Sequence, residues 1–142
     1  MSRRARRIAS QRIAVALRKQ NGGRLPRSVA GWVRLCGAFG LDAVSCSQSV
    51  SEFTACLTET AAGQWIAFYN RHARADRIRR FLCHELAEYL CQADYPTLFP
   101  AMRRGYSGGD NPGDDWHLIA REVEQACFRE RSRDETKKNP GL

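Results

Sequence analysis

The sequence has 142 residues, of which 43% are hydrophobic and 27% are charged. This size and composition are typical of one soluble globular domain with a substantial core. No segment approaches the roughly 18 consecutive apolar residues that a membrane span needs. The apolar run that follows the basic N-terminus is too short for a secretory signal. We therefore expect a cytoplasmic protein that has no membrane partner.

The charge is unevenly distributed along the chain. Residues 1–41 contain ten Arg or Lys and no Asp or Glu, whereas the remainder has 13 basic and 15 acidic residues, which gives +10 and −2. A basic arm of this kind indicates contact with nucleic acid or an acidic partner, here through residues 1–27. Two other interpretations stay open: a solvated tail that aids solubility, and an Arg-rich organellar transit peptide.

The six cysteines do not form a Cys-x-x-Cys pair. Their spacing argues against a thiolate zinc knuckle. In a chain without a secretory signal, free buried thiols are a better interpretation than disulfides.

The first half of the chain contains two helical patterns and then strand patterns. Residues 3–20 have helical spacing and end at an Asn-Gly-Gly stop, and a second helix is predicted from Pro26–Ser28 to about Phe39. Alternating residues around 53–57 and the β-rich run 64–69 predict an antiparallel hairpin. A third strand is expected near 43–46.

The second half returns to helices. A helix is predicted over 76–91, a polar loop over 92–113, and a last helix from Asp114 to about Arg129. The order predicts an α+β fold in which a small antiparallel sheet of two or three strands packs with about four helices. The expected organisation is a basic helical arm, a main domain and a disordered polar tail, at residues 1–25, 26–130 and 131–142.

The helix predicted over 76–91 carries the ionisable residues that could take part in a reaction. Between Phe81 and Cys91, all residues are apolar or aromatic except His84, Glu85 and Glu88. At roughly 100° per residue these three share an arc of about 100°. Buried ionisable groups must be paired, protonated or bound to a metal.

A His-Glu-x-x-X arrangement satisfies this requirement with a metal. Its first and fifth residues lie one turn apart and can bind one ion, while the Glu between them can take a proton from water. His84 and Glu88 are therefore predicted ligands, and Glu85 is the predicted general base. A plain i,i+4 salt link between His84 and Glu88 is the competing interpretation.

The last helix offers two further ligands. Glu124 and His117 lie within about 20° of each other, at the edge of its apolar face. Either side chain could complete a site for Zn²⁺, with Mn²⁺ and Fe²⁺ as alternatives. Either could instead donate or accept a hydrogen bond with His84, or pair with Arg121.

These motifs together resemble the ImmA/IrrE family of metallopeptidases. The matching features are the strand 64–69 with Asn70 at its end, the run Arg80–Glu88 with its His-Glu-x-x-Glu, and the later Glu124-x-x-Cys127. Glu88 stands where the family has a second histidine.

The resemblance implies a zincin-like active-site helix and a zinc-dependent endopeptidase. It assigns His84 as ligand, Glu85 as general base and Glu124 as third ligand, and it implies a helix-turn-helix transcriptional repressor as the substrate. The alternative is a catalytically inactive regulator whose basic arm binds nucleic acid or a repressor. A purely structural domain is the third interpretation.

Overall fold

The computed structural model describes residues 1–47, 55–93 and 112–138, with side chains over 115–129 in the last helix. In these ranges four helices and a three-stranded sheet form an α+β fold, which confirms the predicted fold class. The elements are α1 (Arg3–Gln20), α2 (Val29–Ala38), β1 (Asp42–Cys46), β2 (Ala55–Glu59), β3 (Trp65–Asn70), α3 (Ala75–Ala93) and α4 (Pro112–Lys138). None of the helices in the described ranges combines the length and apolarity that a bilayer crossing requires.

Side-chain caps fix the starts of the first two helices. The hydroxyl of Ser2 accepts a hydrogen bond from the Ala5 N–H at 3.1 Å, and that of Ser28 accepts one from the Gly31 N–H at 3.0 Å. Each cap satisfies a backbone donor that has no partner within the first turn. Gly40 follows α2 with a φ of +91°, a left-handed conformation that glycine adopts without a steric penalty.

The sheet contains the predicted hairpin. Strands β2 and β3 pair antiparallel, with Ala55 opposite Tyr69. Strand β1 also exists, but it pairs with β3 in parallel, so the order is β1-β3-β2 and the sheet is mixed. The prediction of a purely antiparallel sheet is therefore wrong for β1. Alternation of apolar residues indicates which face of a strand is buried, but not the direction of its neighbour.

The turn after β3 leads directly into α3. Asn70 ends the strand, and its buried side-chain Oδ1 accepts a hydrogen bond from the His72 N–H at 3.0 Å. Helix α4 extends to Lys138, into the segment that was expected to be a disordered tail. Most of the predicted loop 92–113, together with residues 139–142, lies outside the described residues.

One core joins all four helices and the sheet. Helix α3 packs against α2, α4 and the sheet, and α4 also packs against α1. All six cysteines are free, as predicted. Four of them are buried in this core: Cys36, Cys83, Cys91 and Cys127.

Helix α1 contributes to the same core. Ile13 and Leu17 are fully buried, and the Ser10 hydroxyl lies 2.9 Å from a carboxylate oxygen of Glu122 on α4. Helix α1 therefore shares one core with the elements that follow the boundary predicted after residue 25.

Truncating Leu17 to Ala is expected to lower the free energy of unfolding by about 2–5 kcal/mol, because a fully buried leucine leaves a cavity. Val15 lies on the same helix but is 62% exposed, so Val15→Ala should change stability by less than about 0.5 kcal/mol. Urea unfolding of both variants measures the difference. Equal stabilities would contradict the packing of α1.

Candidate metal centre

The site begins with the buried polar residues of α3. His84 and Glu85 are only 7% and 8% exposed, although both carry ionisable groups. Glu88 lies one turn further along the helix and is partly buried. The remaining space on this side of α3 is filled by α4, which brings His117 and Glu124 to the same place.

Glu88 lies between two imidazoles. Its Oε2 atom is 3.7 Å from Nε2 of His84, and its Oε1 atom is 3.4 Å from Nδ1 of His117. The two histidine rings meet edge to face, with centroids 4.9 Å apart and planes at 65°. A carboxylate and two imidazole nitrogens therefore converge on one point between α3 and α4.

These three residues could hold a metal ion. One ligand atom from each of His84, Glu88 and His117 lies within 4.8 Å of the other two. Ligands at about 2.0–2.1 Å from a tetrahedral zinc are separated by about 3.3 Å. The 3.7 and 3.4 Å contacts of Glu88 involve its two different oxygens, so binding one ion would require the ligand atoms to move closer together. Two histidines and one glutamate form a ligand set that catalytic zinc sites use, with a position open for water.

Glu124 lies on the other side of the His84 ring. Its Oε2 atom is 3.5 Å from Nδ1 of His84, whereas Nε2 faces Glu88. The second oxygen of Glu124 accepts a hydrogen bond from Nε of Arg80 at 3.1 Å. When the imidazole is neutral and this carboxylate holds its proton on Nδ1, the Nε2 lone pair is directed at Glu88, as metal-binding histidines require.

Burial strongly affects Glu85. Removal from water raises the pKa of its carboxyl to about 7, and the negative charge of Glu88 adds to this effect, while His84 acts in the opposite direction. A carboxyl group with a pKa near neutrality can both accept and release a proton at physiological pH. Glu85 is therefore a buried carboxyl whose pKa lies near neutrality.

His84 and Glu124 stabilise each other's charged forms. Burial alone would lower the pKa of His84, but the hydrogen bond to Glu124 and the charges of Glu88 and Glu85 outweigh it, so the pKa is raised. Burial would likewise raise the pKa of Glu124, yet His84 and Arg80 together lower it. The pair behaves as an imidazole oriented by an ionised carboxylate.

The structure brings together all five residues that the sequence singled out. His84, Glu88 and His117 form the triad, Glu85 follows His84 on α3, and Glu124 contacts the far nitrogen of His84. Sequence reasoning missed Arg80, which fixes Glu124. Its position one turn before His84 on the same helix was the available signal, because residues four apart share a helix face.

No protein-family model, no curated protein and no solved structure matches this chain.

Proposed function

We propose that this protein is a metal-dependent hydrolase, a zinc endopeptidase of the ImmA/IrrE type. The observation that carries the proposal is the convergence of His84, Glu88 and His117 next to the buried Glu85. A salt link between two helices needs only one imidazole and one carboxylate. It does not require a second imidazole, here His117, on the same carboxylate, or a second buried carboxyl group, here Glu85, beside it. A hydrolytic metal site requires both kinds of group.

In this proposal the three ligands are His84, Glu88 and His117, and Glu124 orients His84. The assignment departs from the resemblance, which gives the ligand role to Glu124. The reason is the contact of Glu124 with Nδ1 of His84 and with Arg80, on the side of the ring away from Glu88. Two imidazoles and one carboxylate suit zinc, and they also suit Fe²⁺.

Glu85 carries the proton transfers. When bound, zinc would polarise the scissile carbonyl and lower the pKa of the attacking water. Glu85 accepts a proton from the attacking water as the new C–O bond forms, and it then donates that proton to the nitrogen of the leaving amine as the C–N bond breaks. Burial of Glu85 keeps its pKa near neutrality, which suits both steps.

The proposed substrate is a protein or peptide. The resemblance to ImmA/IrrE peptidases suggests a cytoplasmic helix-turn-helix transcriptional repressor, whose cleavage would change transcription. The chemistry of the triad is common to hydrolysis of any amide bond, so the substrate class rests on the resemblance.

A peptide library prepared by digesting a whole proteome tests the proposed activity. Zinc-loaded protein should generate new peptide termini, detected by mass spectrometry, and dialysis against a chelator should reduce them to background. Adding back one equivalent of zinc should restore cleavage. A zinc-loaded protein that produces no new termini, from the library or from intact helix-turn-helix repressors, would contradict the assignment as a peptidase.

A further inference from the structure

Helix α1 has a basic face that the proposed hydrolase does not use. Its core side is formed by Ala9, Ser10, Ile13, Ala14 and Leu17, all buried. At about 100° per residue, the opposite arc of roughly 140° carries five basic side chains. These are Arg4, Arg7, Arg12, Arg18 and Lys19. Because Arg12 and Arg18 also interact with other groups of the protein, we define the basic face by the other three: Arg4, Arg7 and Lys19.

The basic face is open to solvent and contains no acidic residue. Arg4, Arg7 and Lys19 are exposed, and the first acidic residue of the sequence is Asp42. Arg7 and Arg18 also line an open groove of about 510 Å³ between α1 and α4. Among the described residues that line this groove, Glu122 is acidic, and it accepts a hydrogen bond from Ser10.

The charge at the N-terminal end of α1 opposes the stability of the helix. The partial positive charge of a helix lies at its N-terminus, where acidic side chains are favourable and basic ones are not. The first turn of α1 has no acidic residue, and Arg3, Arg4, Arg6 and Arg7 all lie in the first two turns. Asp115 on α4 pairs with Arg6 at 3.7 Å. Lys19 lies in the last turn, where the dipole favours a cation, so the unfavourable placement concerns the N-terminal arginines, of which Arg4 and Arg7 belong to the basic face. Cations kept there without an acidic residue in the first turn suit the binding of an anion.

We propose that the basic face binds the phosphate backbone of a nucleic acid. The helix is about 27 Å long at 1.5 Å per residue, and duplex DNA carries one negative charge per roughly 1.7 Å of its axis. A row of cations along one side of a helix therefore faces several phosphates at once. The exposed large apolar residues of α1 are Ile8 and Val15, too few to bury a helix face in a bilayer surface.

The contact is to phosphates rather than to bases. Besides Arg and Lys, the same arc holds Ile8, Val15 and one amide side chain, Gln11, so base-edge recognition has few donors beyond the cations. The interaction is thus sequence-independent, and it weakens steeply with salt because bound phosphates release counterions. It is also independent of the proposed hydrolysis, since no residue of the basic face belongs to the metal centre.

Fluorescence anisotropy with the full chain tests this inference, using a labelled mixed-sequence DNA duplex of about 20 base pairs and the equivalent RNA duplex. Raising the salt from about 50 to 200 mM should weaken binding by at least about tenfold. The variant Arg4→Gln/Arg7→Gln/Lys19→Gln should bind at least about tenfold more weakly at low salt, with a shallower salt dependence.

A matched variant removes the same charge elsewhere. Arg71, Arg74 and Arg77 are exposed at the start of α3 and in the turn before it, and their replacement by Gln should leave binding within about threefold of the wild type. Zinc content of both triple variants should equal that of the wild type, which separates this inference from the proposed function.

Three outcomes would overturn the inference. The first is wild-type affinity in the α1 variant, and the second is an equal loss in the matched variant, which would indicate a net-charge effect. The third is failure to bind either duplex while the chain binds vesicles of phosphatidylglycerol and phosphatidylcholine, or an acidic peptide, through the same residues. Preference for RNA over DNA, or the reverse, would identify the nucleic acid within the proposed class.

Discussion

Replacing His84 by Ala is expected to abolish zinc binding, from about one zinc per chain in the wild type to a background level. His84 is central to the site because its Nε2 faces Glu88 and its Nδ1 is held by Glu124. His117→Ala should have the same effect, because removal of either imidazole leaves two protein ligands, fewer than the three that catalytic zinc sites use. Elemental analysis of purified, tag-free protein measures the zinc content.

His72 provides the control for these two variants, since the sequence has three histidines in total. It is exposed in the turn before α3, and the contact it makes with Asn70 uses its backbone N–H. His72→Ala should therefore retain one zinc per chain. Full zinc content in His84→Ala, or its loss in His72→Ala, would show that the metal is bound elsewhere.

Glu124→Gln distinguishes an orienting role from a ligand role. A glutamine oxygen still accepts a hydrogen bond from Nδ1–H of His84, so zinc should remain bound with an affinity lower by about 10–100-fold. Glu122→Gln on the same helix should leave the affinity unchanged, because Glu122 contacts Ser10 on the far side of α4. Complete loss of zinc in Glu124→Gln would instead assign Glu124 as a ligand.

The sequence predicted the elements of this fold better than their arrangement. Caps and stops at Ser28, Asn21 and Gly40 are local signals, so the ends of α1 and α2 could be placed from them. The direction of β1 depends on which strand it pairs with, and that pairing joins residues such as Asp42 and Ile66 that are distant in sequence. The burial of α1 against α4 is equally non-local. Because the segment is highly charged, the sequence predicted an exposed arm instead of a buried helix.

The composition of the site could be predicted from helix periodicity, but the roles within it could not. Spacing places His84 and Glu88 on one face of α3, and His117 and Glu124 on one edge of α4. Which of the two α4 residues meets Nε2 of His84 depends on how the helices are offset along their axes. The answer is a property of packing between α3 and α4, and His117 rather than Glu124 approaches Glu88.

Replacing Glu85 by Gln is expected to abolish turnover while zinc content stays at one per chain. The amide cannot accept a proton from water, and loss of a general base lowers rates by about 10²–10⁴-fold. Glutamine keeps nearly the same shape, and Glu85 is outside the ligand triad. Cleavage of the peptide library by zinc-loaded protein measures this loss. Glu59, an exposed carboxylate on β2, supplies the control variant Glu59→Gln, which should retain full activity.

The same substitution should stabilise the zinc-free protein at alkaline pH. The pKa of Glu85 rises from 4.5 to about 7 on folding, so the native state holds this proton to a higher pH than the unfolded chain does. Stability from this group is fully present below pH 4.5 and is lost as the pH rises toward 7. A tenfold change in a protonation equilibrium corresponds to about 1.4 kcal/mol, so the loss approaches about 3 kcal/mol above pH 7.

Glutamine does not ionise, so the free energy of unfolding of Glu85→Gln does not fall in this way as the pH rises. Urea unfolding in the presence of a chelator should give similar stabilities for the two proteins near pH 4.5 and a more stable variant at pH 8, by about 2–3 kcal/mol. A pH-independent difference for Glu85→Gln would mean that folding leaves the pKa of Glu85 unchanged. A more stable but inactive variant would instead identify Glu85 as a residue retained for catalysis at the expense of stability.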